Sequence, residues 1–282
     1  MTGATIPGTT TRRGIASRLS VTQAFAPLAL VFVAFVGTPL VAMLWRAIES
    51  GALGDDLTSP LVVNAMRLSA ITSTLTLILA VVFGTPVAYL LARRDFPCKA
   101  VVDLLIDLPI VLPPTVAGVA LLVAFGRRGI IGEHFDTIGL ELAFTTAAVV
   151  LAQLFVSAPF YVRTAKAGFE SVSPQFEGVA ATLGASPLRI FWRVVLPLAW
   201  PSLLAGAILC WARALSELGA TLIFAGNFTG RTQTMPLAII SAFEAGRPIE
   251  VSIALAVILV VAAAVLLGLL RFVTRRATAL TV

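Results

Sequence analysis

Long apolar runs alternate with short polar gaps along nearly the whole chain. Six runs reach the roughly 20 residues that a membrane-crossing helix needs: 25–45, 68–91, 104–125, 142–162, 198–224 and 251–273. The gaps leave no room for a separate soluble domain. The pattern therefore predicts an all-α integral membrane protein, with one helical membrane domain over 23–275. A polar tail precedes it at 1–22, and a short tail follows at 276–282.

Composition agrees with this reading and narrows it. At 59% hydrophobic and 12% charged residues, with mean hydropathy +1.00, the 282-residue chain is too apolar to present a wet surface. Arg12, Arg13 and Arg18 before the first run would suit the basic start of a signal peptide. The run is span-length, however, where a signal peptide carries about 7–15 apolar residues, so a retained first helix is expected. Cys98 and Cys210 are the only cysteines, one in a loop and one within the fifth run, which excludes a disulfide framework. With His134 as the single histidine, a multi-histidine or cysteine-rich metal site is excluded as well.

Lys and Arg set the orientation. With the N-terminus inside, thirteen basic residues fall on the cytoplasmic side, among them Arg93, Arg94, Lys99, Arg163 and Lys166, and five fall outside. Both termini are therefore expected in the cytoplasm. The net charge of +6 is then a topology signal, and no nucleic-acid partner is expected.

Between the fourth and fifth runs lies EGVAATLGASPLRIFWRVVLP, residues 177–197. Ser173-Pro174 is a helix start, with a capping hydroxyl and a proline where no N–H is needed. Phe176, Val179, Ala180 and Leu183 fall on one helical face, and Gly184 can adopt the left-handed turn that ends the helix. Ser186-Pro187 repeats the start signal. Gly178, Ala180 and Ala181 are small enough to let another protein's backbone approach. A helix lying on lipid headgroups would share the amphipathy but would carry more Lys and Arg on its polar face.

Two further segments invite a transport reading. DLPIVLPPTVAG places Pro109, Pro113 and Pro114 in an apolar run. Either a kinked helix lines a path there, or a helix begins at Pro114 after a re-entrant stretch. WARALSELGAT sets Arg213 and Glu217 four residues apart in the fifth run, either as a neutralising structural pair or with Arg213 or Ser216 beside an anion path. AGNFTGRTQTMPLAI superficially suggests a phosphate loop. It has three residues between its glycines and then Arg, where a Walker A loop needs four and then Lys. No G-x-S-x-G or H-E-x-x-H pattern occurs. A transport subunit, with no catalytic residues and no cofactor of its own, is expected rather than an enzyme.

Glu177, Ala180, Ala181, Gly184, Leu196 and Pro197 stand where the EAA loop of ABC-importer permeases carries its motif residues, and the stretch resembles that loop. DLPIVLPPTVAG is similar to the molybdate and sulfate branch of the same family, and ARALSELGATLIFAGNFTGRTQTMPLAI resembles the same region of molybdate permeases. The resemblance implies a type I permease fold of six transmembrane helices working as a homodimer. It also implies two cytoplasmic ABC ATPase subunits that bring ATP-Mg, and an extracytoplasmic oxyanion-binding protein. Glu177, Gly178, Ala180, Ala181, Gly184, Ser186 and Pro187 would form the ATPase-coupling loop. Pro109, Pro113, Pro114, Arg213, Ser216 and Glu217 are the candidate path residues. A sulfate or thiosulfate permease is the nearest rival, and a secondary transporter that uses no ATP is the rival from another class.

Overall fold

The computed structural model describes residues 13–51, 59–137, 139, 141–246 and 249–279, and every regular element among them is helical. The first fifty residues form one unit and residues 51–282 another. The first unit is helix α1 (Arg13–Glu49), which begins before the first apolar run and contains Pro27 and Pro39.

The second unit is built on α2 (Pro60–Arg93), α6 (Thr146–Ser171) and α9 (Leu196–Leu215), with α6 packed against both of the others. Ser59 starts α2, its hydroxyl accepting a hydrogen bond from the Val62 N–H, and Pro60 takes the first helical position. At about 1.5 Å per residue the 34-residue α2 is about 51 Å long, beyond the ~30 Å of a hydrocarbon core. Its buried stripe is small or hydroxylated: Ala65, Ser69, Thr72, Thr76, Ala80 and Ala88. Such residues let helices approach closely where lipid offers no hydrophobic drive to associate. Their hydroxyls find partners across the bundle. Thr76 donates to Gln153 Oε1 (3.2 Å), Ser73 accepts from Trp211 Nε1 (3.0 Å), and Ser69 accepts from the Met235 N–H (2.8 Å).

The third apolar run is not one continuous kinked helix. It divides into α3 (Lys99–Val111) and α4 (Pro114–Phe125), joined by Leu112 and Pro113 in extended backbone. The cause is local: a residue before proline is pushed out of the helical region, and Pro113-Pro114 offers no N–H to continue the ladder. Of the two expectations for this segment, the helix that begins at Pro114 is the one observed. Its 12 residues span about 18 Å, too short to cross alone.

The fifth run also breaks. α8 (Pro187–Ile190) passes through a π-helical turn at Phe191–Val195 into α9, which ends at Leu215. Residues 216–218 are not helical, and α10 (Gly219–Ala225) begins beyond them. The expectation that Arg213 and Glu217 share one helix is corrected accordingly, since Glu217 lies in the break. α11 (Met235–Glu244) and α12 (Ile249–Ala279) complete the unit, with the single-turn α5 (Gly132–Asp136) after α4 and α7 (Pro174–Thr182) after α6. Among the described residues five helical segments are long and apolar enough to cross a membrane: Phe25–Glu49, Pro60–Arg93, Thr146–Ser171, Pro187–Leu215 and Ile249–Phe272. The divided α3–α4 segment stands where the remaining expected crossing falls.

Candidate functional site

The loop after α6 forms as its sequence dictates. The Ser173 hydroxyl accepts from the Gln175 N–H, Pro174 opens α7, and Gly184 adopts φ +81° just beyond its end. Ser186 holds the cap position of α8 without a side-chain hydrogen bond, and Pro187 follows it. Ala180 packs inward against the core that also holds Phe169, Ile190 and Val195. Gly178 and Ala181 stay on the surface. The outer face of α7 is apolar and bare, with Phe176, Val179 and Leu183 at 55%, 60% and 83% exposure. One helical turn apart, three such residues form a patch of the kind that partner proteins cover.

Glu177 faces the other way. Its Oε1 lies 2.8 Å from Arg93 Nη2 at the end of α2, and the same nitrogen donates to the Val172 carbonyl at 2.7 Å. Both side chains are largely buried. Arg93 therefore ties α7 and the end of α6 to α2. Beneath this tie, Tyr89 packs edge-on against Phe169 and Phe191, with ring centroids 5.4 and 5.0 Å apart. The sequence reading placed Arg93 only as a basic flank; its pairing depends on a contact between residues far apart in the chain.

The same end of the bundle carries a second clamp that the sequence reading passed over. Asp103 and Asp107 project from α3 toward α6. Lys166 Nζ is 2.9 Å from Asp103, Arg163 Nη1 is 3.7 Å from Asp103, and Arg163 pairs directly with Asp107. Asp103 and Asp107 lie four residues apart, as do the residues on either side of one helical turn, which was the available signal for a shared face.

Deeper in the unit the two helix breaks meet. A Cβ on Gly219 would stand 2.6 Å from Pro114 Cβ, and one on Gly118 would stand 2.7 Å from Ile223 Cβ. α4 and α10 thus start side by side and run in the same direction. Glu217, only 1% exposed, organises this junction: its Oε2 is 2.8 Å from Arg213 Nη2, and its Oε1 accepts from the Ala220 N–H at 2.9 Å, satisfying one of the free donors at the start of α10. Of the candidate path residues, Pro113, Pro114, Ser216, Arg213 and Glu217 flank the paired breaks, whereas Pro109 is buried within α3 one turn earlier. Beyond α10, Gln233 donates to Asn227 Oδ1 (3.1 Å) and both reach the Ser241 hydroxyl, so the glycine-bearing loop is a packed polar turn.

Among the described residues no group of His, Cys, Asp or Glu is placed to hold a metal ion. Comparison with known proteins agrees with the geometry. The molybdenum transport system permease protein ModB of Mycobacterium tuberculosis is 43% identical over 85% of this chain and 90% of its own length. The molybdate/tungstate transport system permease protein WtpB of Thermococcus kodakarensis is 42% identical over 71% of this chain and 76% of its own length. In three dimensions the chain is similar to a bacterial ABC transporter involved in the import of the acidic polysaccharide alginate. The TM-score is 0.71 over 95% of this chain and 98% of that one, at 14% identity, so the likeness concerns fold. Residues 84–279 match the model of the family described as binding-protein-dependent transport system inner membrane component, which takes in both clamps and both helix breaks. The chain therefore belongs to that family, the permease subunits of ABC importers.

Proposed function

We propose that this permease subunit imports molybdate or tungstate, acting as a pair of identical chains around one central path. Two cytoplasmic ATPase subunits that bind ATP-Mg would dock on the α7 loops, and an extracytoplasmic binding protein would deliver the oxyanion. Both termini lie in the cytoplasm in this reading, at the bacterial plasma membrane. The observation that carries it is the bare apolar face of α7, held rigidly from behind by Arg93 on Glu177. The choice of anion rests on the permeases named for molybdenum, molybdate and tungstate that share over 40% identity with this chain.

In this reading, motion of α7 passes along a chain of packed elements. α7 is tied to α2 through Glu177–Arg93, and it leads through α8 and the π-helical turn into α9. A displacement of α7 is thus carried along a helical rod to residues 216–218, where Gly219 abuts Pro114. Small rigid-body shifts of packed elements switch such junctions between discrete arrangements. Broken helices at membrane depth are tolerated where they line a cavity or are buried in protein. An oxyanion passing the breaks meets Arg213 already neutralised by Glu217, which favours passage over retention.

Reconstitution into proteoliposomes with the ATPase and binding protein tests this. Molybdate-loaded binding protein should stimulate ATP hydrolysis and drive molybdate uptake. Stimulation confined to sulfate would change the substrate, and uptake without the ATPase would identify a secondary transporter.

A further inference from the structure

We propose that the groove between α2 and the start of α9 is a binding site for an anionic phospholipid, with its headgroup phosphate at Arg94 and its acyl chains against α9. The groove encloses about 870 Å³ and is walled chiefly by apolar side chains, including Val81, Phe191, Leu203 and Ala207. From Arg94 to Val81 it follows α2 for about 20 Å, comparable with the ~15 Å that one leaflet contributes to a ~30 Å hydrocarbon core. It therefore has the length of a single lipid reaching in from one side.

Charge at the mouth selects the headgroup. Arg93, Lys99, Arg163 and Lys166 each have a carboxylate within ion-pair distance, whereas Arg94 has none among the described residues. Arg189 and Arg193, exposed on α8 and the turn after it, add positive charge at the same end. Basic pockets between membrane helices recognise anionic headgroups in this way. Trp192 lines the groove near its mouth and remains more than half exposed, as an amphipathic ring does at headgroup level. Deeper in, Thr85 and Tyr161 bond each other at 2.6 Å, so the wall makes no demand for a polar ligand below the mouth.

The test is lipid retention by the purified permease–ATPase complex, read by native mass spectrometry after incubation with phosphatidylglycerol or phosphatidylcholine. Wild type should retain phosphatidylglycerol in preference, by roughly fivefold, the factor one cation near an anionic headgroup contributes. Arg94→Gln should remove most of the preference and Arg94→Lys should keep it. Ala207→Trp should lower retention of both lipids, and excess inorganic phosphate should not displace the lipid. Equal retention of the two lipids by wild type, or an unchanged preference in Arg94→Gln, would overturn the proposal. So would a photocrosslinker at Leu204 that captured a second permease chain instead of lipid. Should Ala207→Trp fail to assemble, the two Arg94 variants still decide the matter.

Discussion

Arg93 Nη2 and Glu177 Oε1 meet at 2.8 Å, and this contact joins the last turn of α2 to α7, the helix proposed to dock the ATPase. The carboxylate lies in a largely buried position, so removing its partner strands a charge. Arg93→Ala should destabilise the α7 anchor by about 1.5–3 kcal/mol, as for other hydrogen bonds to charged groups. ATPase association should fall while membrane insertion is preserved. Co-purification of the ATPase with Arg93→Ala, Glu177→Lys and the swap Arg93→Glu/Glu177→Arg measures this. The swap should recover part of the loss, and full co-purification in all three would remove the anchor from the mechanism.

Gly184 sits at φ +81° with open space around it, so the cost of a side chain there is conformational. Gly184→Val should cost about 1–2 kcal/mol or more, the penalty of a left-handed β-branched residue. It should also redirect the start of α8. Transport-coupled ATP hydrolysis should be lost with normal amounts of inserted chain, which an ATPase assay on the reconstituted complex reads directly.

Glu217 has two duties, pairing Arg213 and accepting from the Ala220 N–H, which makes the two partners unequal. Both single variants should lower folded yield: Arg213→Leu at a cost of about 3–5 kcal/mol, because it leaves the buried Glu217 charge unpaired, and Glu217→Leu by less on that account, because Arg213 is 28% exposed. Arg213→Leu/Glu217→Leu should recover only part of it, because the α10 donor stays unsatisfied. Folded yield and molybdate uptake measured together separate structure from path. A double variant that folds but transports poorly assigns Arg213 to the anion route.

Gly219 and Pro114 touch at the junction of the two breaks, where a Cβ would stand 2.6 Å from the proline's own Cβ. Gly219→Ala should force α10 away from α4 at about 1–3 kcal/mol, the usual cost of overpacking. Gly219→Val should be worse. Thermal stability of the purified protein by size-exclusion chromatography checks the order, and an unchanged midpoint in Gly219→Val would mean that the junction yields.

Cys98 is exposed at the start of α3, whereas Cys210 is buried. An impermeant thiol reagent should leave intact cells unlabelled and should label Cys98 in inverted vesicles, with Cys210 silent in both. Labelling of Cys98 from outside would reverse the assigned orientation.

The sequence by itself determined the helical membrane class, because runs of about 20 apolar residues have one stable solution in a bilayer, with every backbone group bonded within its own helix. It also determined the local shape of the α7–α8 loop. Ser173-Pro174, Gly184 and Ser186-Pro187 act through backbone dihedrals and first-turn donors, which neighbours in sequence decide. Family motifs carried the coupling role to these same residues as an expectation. What the sequence left open was which charges meet and where helices stop. Arg93 finds Glu177, and Asp103 and Asp107 find Lys166 and Arg163, only once α2, α3 and α6 are packed together. The break after Leu215 was invisible because ALSELGAT has ordinary helix composition. It exists because Gly219 lets α10 seat against Pro114, a tertiary contact, and Glu217, which pairs locally with Arg213, then accepts from the Ala220 N–H at the start of α10.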